Sequence, residues 1–552
     1  MNGYPSLRRG LALAATVAVF AGLLIFLSSS ARSLNKERAD ESKTDNGRPL
    51  PMFGGHLTRN LVNTFDHNVP TEWSVEEGAQ KNVKWVADLG SKAYGGPIIA
   101  DGKLWMGTNN QKPRNPAIKG DKGIVMCFDE ATGKFLWQAV HDKLPAGRVN
   151  DWPEEGICSS AFVEGNRLYY VSNRCELVCA DTNGFLDGKN DGEQNEQYTD
   201  PLSADFIWRL DMIQNLDVFP HNLSTSSPLV VGDLIFLVTS NGVDEGHINI
   251  PQPKAPSFVA VNKKTGKVVW QNNFPSSKLV EAQQESNQKK EVLIKQLLDK
   301  GEVLMHGQWS SPAYAVANGK PQVIFPGGDG WLYSFEPETG KLIWKFDCNP
   351  KSSRYKLGGK GTRSDFIASP VVYDNKVYIG VGQDPEHDEG VGHLWCIDIT
   401  KEGDVSPVND NFDPKAPENK NSALVWHYGG MIPANAQSDR NYYFGRTLSS
   451  CAVHDGLCYA AELAGYVHCL DAKTGEHYWD HNMEAATWCS PYYVDGKIYI
   501  GNDASKVLIF AAGKEKKLIG EIEMGGKVRA TPVVVNGVLY LATENKLYAI
   551  KG

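Results

Sequence analysis

A nine-residue pattern occurs four times in this chain and constrains its fold more than any other feature. The copies read DEATGKFLW from Asp129, NKKTGKVVW from Asn262, EPETGKLIW from Glu336 and DAKTGEHYW from Asp471. Each has an Asp, Asn or Glu first, a Thr-Gly pair in the middle, and a Trp eight residues after the start. In such a turn the first side chain hydrogen-bonds the backbone and the glycine takes a positive φ. The Trp then has a large flat surface to bury, and a neighbouring unit is its natural partner. Worn copies begin at Asp181, with a late Trp208, and at Asp398, with Trp426; near Phe510 both acid and Trp are gone. Asp129, Gly133, Trp137, Gly266, Trp270, Gly340, Trp344, Asp471, Gly475 and Trp479 are therefore read as structural.

A second element precedes each copy. It has two small residues, a Pro, a short apolar run, a Gly turn and an apolar-Tyr-apolar run, as in CSPYYVDGKIYIGN from Cys489 and ATPVVVNGVLYLAT from Ala530. The proline slot is assigned to Pro97, Ser160, Pro228, Pro312, Pro370, Cys451, Pro491 and Pro532, giving eight units with shortest spacings of 40 and 41 residues. Alternating runs around DG, NG or DN are hairpin signals. Four short antiparallel strands in about forty residues make a propeller blade. The last unit stops after its third strand, and NVKWVADL around Trp85 is the available fourth. Closing the ring with it would leave no sheet edge open. The expectation is an all-β fold: an eight-bladed β-propeller of four-stranded antiparallel blades over residues 78–552, closed by an N-terminal strand. A helical insertion at about 278–301 is expected to pack on the rim.

The repeat resembles the pyrroloquinoline-quinone (PQQ) enzyme repeat of quinoprotein-like eight-bladed propellers, from about residue 82 onward. That resemblance implies one of two functions. Some members are PQQ- and calcium-dependent dehydrogenases of alcohols or sugars; others, such as the lipoprotein of the outer-membrane β-barrel assembly machine, are scaffolds without cofactor. The adjacent Cys-Cys pair that the alcohol dehydrogenases of the family carry beside the quinone is missing, as is any C-x-x-C-H haem motif. No motif anchors the family's calcium-binding Glu, Asn and Asp or its catalytic Asp. These departures favour a non-catalytic binding or assembly scaffold, with a protein or peptide partner on one face and the chain a monomer. The dehydrogenase, with PQQ and calcium, is the alternative.

Several groups are candidates for chemistry. On the face carrying the loops that lead into each innermost strand stand Arg148, Trp152, Trp309, Arg363, Arg446, His481, Trp488 and Arg529, together with His221, His306, Arg354 and Arg440. Arginines converging on a funnel would attract anions or quinone carboxylates, and a Trp would stack on a flat ring; paired with local acids, the same arginines would only close the channel. In GQDPEHDEGVGH, residues 382–393, the candidate metal ligands are Asp384, Glu386, His387, Asp388 and His393. The Asp/Asn-rich stretch 181–200 has ligand types suited to calcium but misses the EF-hand spacing, so a solvated loop is the competing reading. Cys127, Cys179, Cys396 and Cys469 share one small third-strand slot that holds Ala260, Ser334 or Ala549 elsewhere. A strand would hold Cys175 and Cys179 apart.

The first residues are not expected to join the fold. Arg8 and Arg9 precede an uncharged apolar run at 11–27, and Ser29 and Ala31 follow. This is the form of an export signal, and cleavage after Ala31 or retention as an inner-membrane anchor are both consistent with its length. Residues 1–31 are thus a signal peptide or anchor, 32–77 a polar tether, and the body is expected in the periplasm or another extracytoplasmic space. The net charge of −9 offers no electrostatic basis for nucleic-acid binding.

Overall fold

The computed structural model describes residues 48–552 apart from 384 and 387–389. The signal or anchor expected at 1–31 therefore lies outside the described residues. No helix among the described residues is long and apolar enough to cross a membrane.

The fold is an eight-bladed β-propeller. Its four-stranded antiparallel cores span residues 98–142, 162–211, 229–272, 313–347, 371–429, 452–482 and 492–523, and the eighth joins Val83–Asp88 to the three strands of 533–550. Val83–Asp88 runs antiparallel to Lys546–Ile550 with Trp85 opposite Ala549, the same register that sets Trp137 opposite Cys127 and Trp479 opposite Cys469. The first and last parts of the propeller thus share one blade. The insertion at about 278–301 is two helices, Phe274–Gln283 and Asn287–Lys300, not one. Leu279 anchors the first against Val303, Met305 and Tyr355, while the second buries none of its residues.

The Thr-Gly turns and tryptophans lock neighbouring blades. Within a turn, Asp471 Oδ1 accepts from Thr474 N (2.9 Å) and the Asp471 carbonyl accepts from Gly475 N (2.9 Å). At five junctions the Trp lies on the turn glycine of the following blade: a Cβ on Gly133 would sit 2.5 Å from the Trp85 ring, and on Gly340 or Gly475 2.7 Å from Trp270 or Trp426. The indoles donate to the same turns, Trp85 to Glu130 O (3.0 Å), Trp270 to Pro337 O (2.7 Å) and Trp479 to Gly513 O (3.0 Å). Trp344 faces a worn turn. Its Nε1 donates to Gln322 Oε1 (2.7 Å) instead, and Gln322 Nε2 relays the contact to Ile399 O (3.1 Å). In blade seven Gly520 stands where the Trp would be, and the N-terminal segment covers the gap: Thr71 O lies 3.2 Å from a Gly520 Cβ position, and Trp73 is buried with its Nε1 on Met524 Sδ (3.2 Å).

The small residue before each proline carries a second lock. Ser160, Ser227, Ser311, Ser369, Ser450 and Ser490 each donate their backbone N–H to the hydroxyl of the same slot in the next blade, the last to Thr531, at 2.9–3.3 Å. Blade one has Gly96 in this slot, and Ser160 Oγ donates to its carbonyl (3.2 Å). This ring corrects the repeat alignment by one residue. Ser160 belongs to the hydroxyl slot, and Ala161, directly before strand Phe162–Glu164, fills the proline slot of blade two.

Residues 49–77, read above as part of a polar tether, are folded. The stretch 50–63 meets blades one, two and four to eight in chain order. Leu50 pairs with Ile99, Pro51 O accepts from Val163 N (2.8 Å), Leu57 O from Tyr314 N (2.9 Å) and Thr58 O from Val372 N (2.9 Å). Asn60 then exchanges two hydrogen bonds with Val453 (2.8 and 3.0 Å), Leu61 O accepts from Tyr493 N (2.9 Å) and Asn63 Nδ2 donates to Val534 O (3.0 Å). At its centre the fully buried Arg59 donates to four carbonyls, those of Phe53, Ser227, Pro228 and Pro312, at 2.9–3.0 Å. Burial lowers its guanidinium pKa to about 9, and the carbonyls keep the charge satisfied. Polar composition suggested a tether because the backbone edges that these polar groups satisfy belong to residues far away in sequence.

Two substitutions test these locks. Gly340→Ala forces a side chain to φ +68° and into the Trp270 ring, and is expected to destabilise the protein by about 2–4 kcal/mol in denaturant unfolding. Arg59→Met leaves buried carbonyls without donors, and is expected to cost about 3 kcal/mol or more and to speed proteolytic cleavage within residues 49–63.

Candidate functional site: an aromatic cavity on the propeller axis

A cavity of about 440 Å³ opens on the face formed by the lead-in loops. Its base is the serine ring, with Ser160, Ser227, Ser311, Ser369, Ser450, Ser490 and Thr531 in its lining, and Phe53 of the N-terminal segment faces it from the channel. Its walls are Tyr94, Trp152, Trp309 and Trp488, with Leu223, Ile367 and Leu448 between them. The Trp rings are fixed. Trp309 Nε1 donates to His221 O (3.0 Å), and Trp488 meets Tyr94 edge-on with centroids 5.6 Å apart.

The arginines are all engaged. Arg529 forms a two-pronged pair with Asp503 (2.9 and 2.8 Å), donates to Tyr94 Oη (2.7 Å), and stands 5.3 Å from the Trp488 ring centroid. These acceptors raise its pKa against the desolvation that would lower it, and burial raises the Tyr94 phenol. Arg148 lies over Trp152 (4.1 Å) and pairs with Glu386 (2.8 Å) and Glu245 (3.4 Å). Arg440 is held by Glu462 (2.7 and 2.6 Å). Arg363 is away from the main cavity, buried on Asp347 (2.8 Å). Arg446 lines a separate hollow of about 280 Å³ with Tyr442, Asp503 and the far side of Trp488. Arg354 donates to backbone carbonyls of its own loop. His481 is on the outer strand of blade six, edge-on to Phe510 at 5.1 Å, and outside the cavity lining.

The metal candidates separate. Asp384, His387 and Asp388 lie outside the described residues. His393 does not join Glu386: it is buried on strand His393–Asp398, where its Nδ1 meets His427 Nε2 at 2.9 Å. Glu386 instead comes together with His221, His247 and His306, whose ligand atoms all lie within 4.8 Å of one another. His247 was missed by sequence reasoning. It sits after the second strand of blade three, and nothing local marks it; only the fold brings that loop beside the lead-in loops of blades three and four. In the 181–200 stretch Asp181, Asp187 and Asp191 stand around Asp205, whose pKa is raised by burial and then by their charge. Asp181 pairs with Arg167 (2.8 Å), and burial raises Glu196 to about 7. All ten cysteines are unpaired thiols.

The residues present do not fit the cofactors that the resemblance implied. PQQ carries three carboxylates, which need spare cations, yet Arg529, the one arginine lining the cavity among the described residues, is already neutralised by Asp503. Glu155 and Glu386 in the same lining are themselves paired, with Lys92 (3.5 Å) and Arg148 (2.8 Å). Calcium takes oxygen ligands, whereas the donor set beside the cavity has three imidazoles and one carboxylate.

The His393–His427 contact has a measurable consequence. One ring donates to the other, and burial lowers both imidazoles, His393 to about 4 despite the attraction of Asp410. An unfolded His titrates near 6.5 and takes up a proton that the folded site refuses. Stability is therefore expected to fall by about 3 kcal/mol as pH drops from about 6.5 to 4. His393→Gln is expected to flatten that limb of a stability–pH curve measured by denaturant unfolding.

Comparison with known proteins bears on the fold and on the family. Comparison with curated protein sequences gave no match. A europium-containing methanol dehydrogenase has a similar structure, with a TM-score of 0.56, 12% identity, and cover of 91% of this chain and 98% of that one. The quinohemoprotein alcohol dehydrogenase ADHIIG from Pseudomonas putida HK5 gives a TM-score of 0.54 at 12% identity, covering 91% of this chain and 80% of that one. BamB from Moraxella catarrhalis gives a TM-score of 0.46 at 13% identity, covering 85% and 98%. At such identities the likeness is one of fold. The sequence profile described as outer membrane protein assembly factor BamB matches residues 121–296, 196–403, 257–514 and 463–551 in overlapping segments, and the chain belongs to this PQQ-like repeat family.

Proposed function

We propose that this protein is a binding or assembly scaffold of the cell envelope, and that its axial cavity receives an apolar or aromatic anchor from an extended peptide or a partner protein. The observation that carries this reading is the character of the cavity: about 440 Å³, walled by Trp152, Trp309, Trp488 and Tyr94, with its arginine already bound to an acid. Fixed aromatic walls around a serine-ringed base offer a buried hydrophobic anchor point with hydrogen-bonding hydroxyls beneath it, as binding hot spots require. Among the described residues of the lining, Arg529 is already paired with Asp503 and offers no spare positive charge to an anionic quinone. The family's description as an outer membrane assembly factor supports the envelope location, as does the export-type apolar run at 11–27.

The test uses the purified full-length chain. Titration with PQQ and calcium is expected to give no stoichiometric complex and no dye-linked oxidation of alcohols or sugars; turnover would overturn the reading. Calorimetry with extended peptides carrying one Trp or Phe, against the same peptides with Ala, is expected to show binding only of the aromatic set. Trp488→Ala is expected to weaken it about tenfold or more.

A further inference from the structure

We propose that His221, His247, His306 and Glu386 form a binding site for a divalent transition-metal ion of the zinc or copper class, at the rim of the axial cavity. The proposal is independent of what the cavity itself binds.

Four potential ligands from four separate loops meet here. His221 and His306 come from the loops leading into blades three and four, His247 from the loop after the second strand of blade three, and Glu386 from the corresponding loop of blade five. One ligand atom from each lies within 4.8 Å of all the others. The imidazole centroids are 4.6, 4.8 and 5.0 Å apart, and His221, His247 and His306 are 0%, 8% and 1% exposed. Three buried imidazoles at this spacing repel one another when protonated and share a cation well when neutral.

Surrounding contacts orient the ligands as metal sites require. His221 Nδ1 is 2.9 Å from Val243 O, which fixes the proton there and leaves Nε2 as the lone-pair nitrogen. Asp365 Oδ2 stands 3.7 Å from His306 Nδ1, a carboxylate behind a ligand imidazole. Glu386 is steered from outside by Arg148 (2.8 Å) and Asn222 Nδ2 (3.3 Å). Gly242 leaves room for the arrangement, since a Cβ there would lie 2.5 Å from the Cβ of His221. Trp309, stacked on His221 with a 15° interplanar angle, closes one side, and Glu386 and Asn222 open the other to the cavity.

Three imidazoles and one carboxylate select borderline transition ions over calcium or magnesium. Zinc with these ligands is bound at about 2.0–2.2 Å, so the set closes by small side-chain rotations around the ion. The face of the metal toward the cavity would be left for water or for a ligand group.

The test is a titration of the chelator-treated full chain with Co(II) and then Zn(II), read by the visible absorption of Co(II) and by its displacement. The expected result is one ion per chain, a spectrum of nitrogen–oxygen ligation, no competition from calcium, and loss of binding at acid pH as the imidazoles protonate. His247→Gln, His306→Gln and Glu386→Gln are each expected to weaken binding by more than about 100-fold, and His481→Gln to leave it unchanged. Glu386, on the open side, keeps the test decisive should an imidazole variant fail to fold. A folded wild-type chain that takes up no stoichiometric Co(II) or Zn(II), or variants that bind as the wild type does, would overturn the proposal.

Discussion

Eight thin sheets become one body because all but the seventh bury a flat aromatic ring against the chain of the neighbour. The glycine of a Thr-Gly turn provides the surface, and no other residue both takes its positive φ and lets an indole approach as closely as Trp270 approaches Gly340. Each such ring buries on the order of 150–250 Å², which at about 25 cal/mol/Å² is several kcal/mol per junction. The contact must also close on itself. Trp85, from the early strand Val83–Asp88, supplies the lock on Gly133 that the eighth blade cannot make from its own three late strands. Where the pattern fails, the fold substitutes other contacts: Gln322 beneath Trp344, and Thr71 and Trp73 beside Gly520.

Closure leaves a channel on the axis, and the molecule fills it from one side with its own N-terminal segment. Arg59 ties residues 50–63 to blades three and four through the carbonyls of Ser227, Pro228 and Pro312, backbone bonds reach blades one, two, five and seven, and the Asn60 and Asn63 side chains reach six and eight. The serine ring is the next layer. In six of the blades, from Ser160 to Ser490, the backbone N–H on the inner edge finds a hydroxyl in the adjacent blade, so these donors are met. The cavity above is what remains, and its aromatic walls and paired charges follow from loops that satisfy their own arginines. Those pairings distinguish it from a site built for a tricarboxylate cofactor.

The repeat made most of the fold legible. Four copies of one turn fixed the blade, the spacing fixed eight of them, and Trp85 before the first copy marked the closing strand. The slips were local. Ser160 was placed one residue off because blade two has Ala161 where most blades have Pro, and only the hydrogen bond from Ser160 N to Ser227 Oγ reveals the register. Residues 49–77 read as a tether because their partners lie up to hundreds of residues away, as with Asn60 and Val453. The site was legible only in pieces. Trp152, Trp309, Trp488 and Arg529 do line one cavity, whereas His481 and Arg363 do not. The spacing along the chain groups Glu386 with His393, its neighbour in sequence, whereas the fold sets it among three histidines from other blades.

The sequence by itself determined the architecture, because a blade is a local object: hairpins, a turn and a tryptophan are specified within about forty residues and repeated. Tertiary structure alone decided what stands at the centre. Loops from eight blades converge there at distances that no spacing along the chain encodes, so which arginine finds an acid, and which histidines meet, is set by the closure of the ring.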